Sequence, residues 1–148
     1  MFSLSLFPGC RVGVVGSRSF RSPALVREFV ASLPPSCVVC SGWAGSGCRC
    51  GGSGCSRCGG VVDAAAGLAA RACGLRGSFF PPEWCRFGRA AGPFRSELLV
   101  SSGLSVLVVF ASSPSCLSPG SARAVSFARR AGVPVVIVGP DGNFSPAA

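Results

Sequence analysis

Residues 104–111 read LSVLVVFA, and this run of apolar and β-branched side chains is the strongest strand signal in the chain. A short apolar run of this kind, bounded by turn residues, is typical of a strand that is buried on both faces. Similar runs occur at residues 11–16 (RVGVVG), 37–40 (CVVC), 78–80 (SFF) and 133–138 (VPVVIV). The sequence therefore predicts a sheet of about five strands.

Four segments between these runs have helical composition or spacing, at residues 24–33, 61–73, 94–101 and 120–131. Strands that alternate with helices are joined by right-handed crossovers and form a parallel sheet. We therefore predict an α/β fold, a single Rossmann-like three-layer domain whose core spans about residues 11–139. The tail at residues 140–148 is rich in turn residues, and we expect it to be loose.

Composition limits the partners of the chain. Its formal net charge is +9, and all fourteen basic residues are Arg. This charge favours anionic partners such as phosphates, although the absence of Lys is also typical of biased nucleotide usage in a gene.

The apolar runs are too short to cross a bilayer, and the first residues lack the features of a secretory signal. We expect a cytoplasmic protein, in its own cell or in a host cell, with no membrane partner.

The chain contains no His. This excludes a Ser-His-Asp or Cys-His pair and any imidazole ligand for a metal. General acid–base catalysis could use only five carboxylates: Glu28, Asp63, Glu83, Glu97 and Asp141. Three of them, Asp63, Glu83 and Glu97, lie near predicted loops and are the catalytic candidates. So small a set of acids favours a binding protein over an enzyme.

The first predicted strand ends at Gly16, and Ser17, Arg18 and Ser19 follow it. Ligands in this class of fold bind beyond the carboxyl ends of the strands. A glycine there lets backbone amides approach a phosphate, while hydroxyl and guanidinium groups can donate hydrogen bonds to it. The alternative is an ordinary turn from strand to helix.

Ser41 and Gly42 follow the second predicted strand, and Asp63 lies in the first turn of the next predicted helix. Small residues after a strand, together with the N-terminus of a helix, can hold an anion. Asp63 has two interpretations that stay open: a ligand role, or a favourable interaction with the helix dipole.

Residues 83–97 combine three Arg with Trp84, Phe87 and Phe94. Aromatic side chains can stack on a base while arginines contact a phosphate. Alternatively, the three aromatic side chains simply cover the edge of the sheet.

Residues 112–121 form the last candidate loop, which ends in Pro119, Gly120 and Ser121 at the start of a helix. Small side chains and free backbone amides suit a phosphate here as well. The alternative is a plain N-cap made by Ser118 or Ser121.

Taken in order, these stretches resemble the SLOG superfamily, which includes the DprA/Smf and LOG relatives, and in particular its YspA/cpYpsA-related branch. The resemblance runs from about residue 12 to residue 138 and rests on GSRSF (16–20), VVCSGWAG (38–45), GVVDAAA (60–66), EWCRFGRAAGPFRSELLV (83–100) and PGSARAVSFARRAGVPVVIV (119–138). It implies a Rossmann-like sheet that binds nucleotides, nucleotide-derived ligands or, in the DprA branch, single-stranded DNA. Matched motif by motif, it implies ligand contacts at Gly16, Ser17, Arg18, Ser41, Gly42, Asp63, Trp84, Gly88, Gly92, Arg95, Gly120 and Ser121.

The chain departs from the family pattern in several places. Ser96 stands where the family usually has Asn, and Ser121 replaces a Thr but keeps its hydroxyl. An insert near residues 46–59 separates the two halves of the family's second motif. Arg95 matches the arginine of the LOG phosphoribohydrolases, but residues 123–125 offer no match to their catalytic Glu. The resemblance therefore does not support that hydrolase activity.

The insert is rich in Cys and Gly, and its four cysteines have the spacing CxC-x4-CxxC. Four thiolates this close together could bind zinc, whereas the alternative is a reduced, flexible loop without metal. These candidate zinc ligands are Cys48, Cys50, Cys55 and Cys58. Three other cysteines lie in apolar segments and are expected to be small core residues: Cys37, Cys40 and Cys73.

Three functions remain open at this point. The first, which we favour, is a module that binds or senses a nucleotide or a nucleotide-derived ligand. The second is an enzyme that acts on such a molecule. The third is binding of single-stranded nucleic acid, driven by the positive charge with Trp84 and Phe87 stacking on bases. Formation of a homo-oligomer is a further open alternative.

Overall fold

The computed structural model describes residues 9–17, 19–42, 61–80 and 91–146. Helices and strands alternate through these residues, as the sequence predicts. They are β1 (Arg11–Gly16), α1 (Pro23–Ala31), β2 (Val38–Ser41), α2 (Val61–Ala72), β3 (Arg76–Phe79), α3 (Ala91–Ser101), β4 (Val106–Phe110), α4 (Pro119–Arg130), β5 (Val135–Val138) and β6 (Phe144–Pro146).

The strands form one six-stranded sheet in the order β3-β2-β1-β4-β5-β6. The first five strands are parallel, and β6 pairs antiparallel with β5. The prediction of an α/β, Rossmann-like fold with a parallel sheet is therefore confirmed. Strand ends are level in two pairs, since Gly16 lies opposite Phe110 and Ser41 lies opposite Phe79. Strand β2 ends two residues before its neighbour β1, because Cys40 lies opposite Gly13. Loops that follow the strands consequently begin at a common edge.

Two apolar clusters cover the two faces of the sheet. Side chains alternate along a strand, so neighbouring residues of β4 enter different clusters. Val108 packs with residues of α1 and α2, such as Phe29 and Val62. Val109 packs with residues of α3 and α4, such as Leu99 and Val125. Helices on both faces explain why the central strands are continuous apolar runs.

The C-terminal tail differs from the expectation of a loose segment. Residues 144–146 form strand β6, and Phe144 lies opposite Val138. A turn with Gly142 in the left-handed region (φ +80°) reverses the chain before this strand. The ring of Phe144 also contacts that of Phe29, with centroids 6.3 Å apart. A three-residue strand has too short a pattern for detection from sequence, and this packing supplies its stability.

Two local expectations about burial are wrong. Cys37 and Cys40 are buried, as expected, but Cys73 is exposed because it lies in the turn after α2. Strand β3 is at the edge of the sheet and is mostly exposed, unlike the central strands.

In the part of the chain that the structure describes, no helix has the length and apolar character that a membrane-spanning helix requires.

Candidate functional site

The strand order places a topological switch point between β1 and β4. From β1 the chain passes through α1 to β2 on one side, whereas from β3 it crosses through α3 to β4 on the other side. Loops that leave β1 and β4 therefore diverge and open a crevice at the carboxyl edge of the sheet. In open α/β sheets this crevice is the usual place for a ligand.

Three serine hydroxyls meet at this switch point, and we name Ser17, Ser19 and Ser112 the serine cluster. The Oγ atoms of Ser17 and Ser19 lie 2.7 Å apart, and those of Ser19 and Ser112 lie 3.1 Å apart. The backbone N–H of Ser17 donates to the carbonyl oxygen of Phe110 (3.1 Å), which ties the end of β1 to the end of β4. Hydroxyl donors from both diverging loops are thus in direct contact.

Gly16, which precedes the serine cluster, has a packing role. A Cβ atom on this residue would overlap the side chain of Val62 in the first turn of α2. The end of β1 and the start of α2 therefore approach closely, and only a glycine permits this approach.

Asp63 and Arg95 meet in an ion pair at the end of β2. Arg95 Nη1 donates to Asp63 Oδ2 over 3.2 Å. The other carboxylate oxygen, Oδ1, accepts the backbone N–H of Gly42, also over 3.2 Å. Both side chains are largely shielded from solvent, with 17% of Arg95 and 9% of Asp63 exposed. One carboxylate thereby joins β2, α2 and α3.

Gly42 is required by this ion pair. A Cβ atom at residue 42 would overlap Nη1 of Arg95 and would approach Asp63 Oδ2 to 3.1 Å. The neighbouring Ser41 is fully buried, and its Oγ donates to the carbonyl oxygen of Asp63 (3.5 Å). Four residues that the resemblance nominates therefore form one connected unit: Ser41, Gly42, Asp63 and Arg95.

Arg95 has a further hydrogen-bond donor, its Nε atom, besides the Nη1 that contacts Asp63. Its Nε atom is buried and has no hydrogen-bond partner among the residues that the structure describes. Leaving such a buried donor unsatisfied costs about 1–3 kcal/mol. In native proteins a buried donor of this kind usually indicates a water, an ion or a functional role.

The N-terminus of α4 also opens onto the carboxyl edge. Ser118 is its N-cap, since Ser118 Oγ accepts the backbone N–H of Ser121 (3.4 Å). The hydroxyl of Ser118 also donates to that of Ser121 (3.1 Å), and Ser121 is buried. Gly120 is exposed, and a Cβ atom on it would meet nothing within 4 Å. Packing therefore does not require a glycine at residue 120, in contrast to Gly16 and Gly42.

Several predicted site residues lie outside the described residues: Arg18, Glu83, Trp84, Gly88, Cys48, Cys50, Cys55 and Cys58. Gly92 lies in the first turn of α3, and Glu97 is exposed on the same helix. Within the described ranges there is no group of three or more His, Cys, Asp or Glu residues that could hold a metal ion.

Ser112 belongs to the serine cluster but was not among the predicted site residues. The sequence indicates only the loop that Ser112 begins, and the only signal for the residue itself is a hydroxyl directly after a predicted strand.

Comparison of the chain with known proteins yields no assignment. No protein-family model matches it. No curated protein matches it either. The function must therefore be argued from the site.

Proposed function

We propose that this chain is a SLOG-like binding module that holds a nucleotide or a nucleotide-derived ligand at the carboxyl edge of its sheet. The observation that carries the proposal is the serine cluster, because it joins hydroxyls from the two loops that diverge at the switch point. Hydroxyl and backbone N–H donors in such a crevice suit the oxygen atoms of a phosphate.

Two further features support a phosphate-containing ligand. The N-terminus of α4 carries a partial positive charge, and Gly120 leaves room for close approach of a ligand to its backbone. The Nε of Arg95, which has no partner in the described ranges, offers an N–H donor near the end of β2, although the charge of this guanidinium is paired with Asp63. An acceptor on the ligand would satisfy that donor.

The state of Asp63 favours binding over catalysis. Its two carboxylate oxygens already accept hydrogen bonds from Gly42 and Arg95. A general base must have an oxygen within hydrogen-bonding reach of the substrate proton. Asp63 instead fixes Arg95 in place. Glu97 is exposed on α3, where it has no role in this unit.

A thermal-shift screen of the reduced protein tests the proposal. The panel contains mononucleotides, dinucleotides, cyclic nucleotides, ADP-ribose and short single-stranded DNA, each at low and high salt. A ligand that binds the native state raises the melting temperature by mass action. We expect one small nucleotide compound to stabilise the protein at both salt concentrations.

Two matched variants locate the binding site. Ser112→Ala removes one exposed hydroxyl from the serine cluster, and Ser36→Ala removes one from the turn before β2, at the opposite edge of the sheet. We expect only Ser112→Ala to reduce the ligand-induced shift. Stabilisation by DNA alone, and only at low salt, would contradict the small-ligand proposal, because it is typical of non-specific phosphate contacts.

A further inference from the structure

Two thiols that are distant in sequence are neighbours at the amino edge of the sheet. Cys10 directly precedes β1, and Cys37 directly precedes β2. The parallel register pairs Arg11 with Val38, which places Cys10 and Cys37 opposite each other one step earlier. The backbone N–H of Val38 donates to the carbonyl oxygen of Cys10 (2.8 Å), so the backbones stay paired at this point.

The two side chains point into the same core. Cys10 and Cys37 are 1% and 0% exposed, and both belong to the cluster under α1 and α2. The two residues therefore lie on the same face of the sheet, at neighbouring positions of two paired chain segments. Paired strands lie about 4.8 Å apart. This spacing falls within the range of about 4.4–6.8 Å that separates the Cα atoms of disulfide-bonded residues.

The sequence suggests a different pair. Cys37 and Cys40 have the CxxC spacing, and both are buried. Three residues along a strand reverse the direction of a side chain, so Cys40 packs in the other cluster, under α3 and α4. The sheet itself therefore separates Cys40 from both Cys37 and Cys10.

We propose that Cys10 and Cys37 form an oxidation site, at which a peroxide converts the two thiols into an intramolecular disulfide. One thiol is first oxidised by hydrogen peroxide to a sulfenic acid, with release of one water. The second sulfur then attacks that sulfur, and a second water leaves as the S–S bond forms. Overall, two thiols lose two protons and two electrons, and one peroxide is reduced to two waters.

The location of the pair determines its access and the effect of the bond. Gly9 and Ser36, the residues just before the two cysteines, are both exposed, so the buried thiols lie one residue from the surface, and oxidation requires a local opening of the chain at this edge. The disulfide would fasten the start of β1 to the start of β2 and close the loop that contains α1. A disulfide that closes a loop stabilises a protein mainly by reducing the conformational entropy of the unfolded chain. The carboxyl edge is not involved, so ligand binding there is expected to continue.

Peptide mapping of the peroxide-treated, folded protein tests the proposal. Cleavage after arginine separates Cys10, which lies before Arg11, from the peptide of residues 28–49, which contains Cys37, Cys40 and Cys48. We expect a cross-link between these two peptides, and we expect it to persist in Cys40→Ala. Cys10→Ala and Cys37→Ala should each abolish it. Oxidised Cys40→Ala should also melt several degrees higher than its reduced form, a shift that dithiothreitol reverses.

Oxidation in denaturant is the control for the role of the fold. The unfolded chain favours closure of short loops, so bonds between cysteines close in sequence, such as Cys37–Cys40 and Cys55–Cys58, should dominate there over Cys10–Cys37. A Cys37–Cys40 bond in the folded protein would overturn the proposal. So would oxidation of the exposed Cys73 and Cys116 with no cross-link between the two peptides. Circular dichroism of each variant confirms that it is folded before treatment.

Discussion

At the scale of single residues, three glycines of the candidate site have different physical roles. Gly16 and Gly42 are fixed by packing, against Val62 and against the Arg95–Asp63 ion pair, respectively. Gly120 has open space around it. A sequence motif treats the three alike, because it records only that a small residue is present.

Gly42→Ala should lower the free energy of unfolding by about 1–3 kcal/mol, because the new methyl group displaces Arg95 from Asp63. The loss should be smaller in an Arg95→Ala background, where the guanidinium is absent. Urea denaturation of the two single variants and the double variant measures this coupling. Additive losses would mean that the ion pair does not determine the need for glycine.

Gly120→Ala is the matched control for that substitution. With nothing within 4 Å of the new methyl group, stability should be unchanged or should rise by up to about 1 kcal/mol. A loss comparable to that of Gly42→Ala would contradict the distinction between the two glycines.

The ion pair between Asp63 and Arg95 could not be predicted from the sequence. Both residues were nominated from motifs, but as separate ligand contacts. They are 32 residues apart in the chain, and strand β3 lies between them. No local pattern indicates that one neutralises the other. Their pairing follows from the packing of α2 and α3 around the end of β2, which only the three-dimensional structure provides.

At the scale of elements, the two N-caps that serines provide are not equivalent. Ser118 Oγ accepts a backbone N–H at the start of α4, whereas Ser22 makes no side-chain cap bond at the start of α1. Ser118→Ala should therefore cost about 1 kcal/mol of stability. Ser22→Ala should change it by less than about 0.5 kcal/mol. Urea denaturation separates the two cases, and equal losses would refute this difference in capping.

The elements themselves were largely predictable from apolar periodicity. The bounds of β1 match the prediction at both ends, because a buried strand that ends in glycine gives a clear signal. Helix α3 begins at Ala91, three residues before the predicted start. Pro93 lies in the first turn of this helix, because proline is tolerated there, where its missing N–H is not needed.

At the scale of the whole molecule, the composition makes the pH dependence of stability unusually simple. Without His, Lys or Tyr, no side chain other than a thiol titrates between about pH 6 and about pH 11. Burial raises the pKa of the Cys37 thiol, and Cys10 raises it further. Burial also raises the pKa of Cys40, although Arg11 opposes this effect.

These raised thiol pKa values determine how the stability of the fold changes at alkaline pH. Between the ordinary thiol pKa and the raised one, the folded state holds protons that the unfolded state has lost. Stability should therefore be nearly constant from about pH 6 to about pH 8 and should fall as the pH rises further. Urea denaturation under reducing conditions measures this profile. A Cys37→Ala/Cys40→Ala variant should fall less steeply, and an equal slope would contradict the assignment.

The most direct test of the proposed function is to map the bound ligand by NMR on ¹⁵N-labelled, reduced protein, titrated with the compound that gives the largest thermal shift. We expect the backbone amide signals that move most to belong to the serine cluster, Gly42 and Gly120, all at the carboxyl edge of the sheet. Saturation of these shifts would show a defined site. If the shifts instead concentrate at the amino edge, around Cys37 and Gly103, or scatter without saturation, the proposed site is wrong.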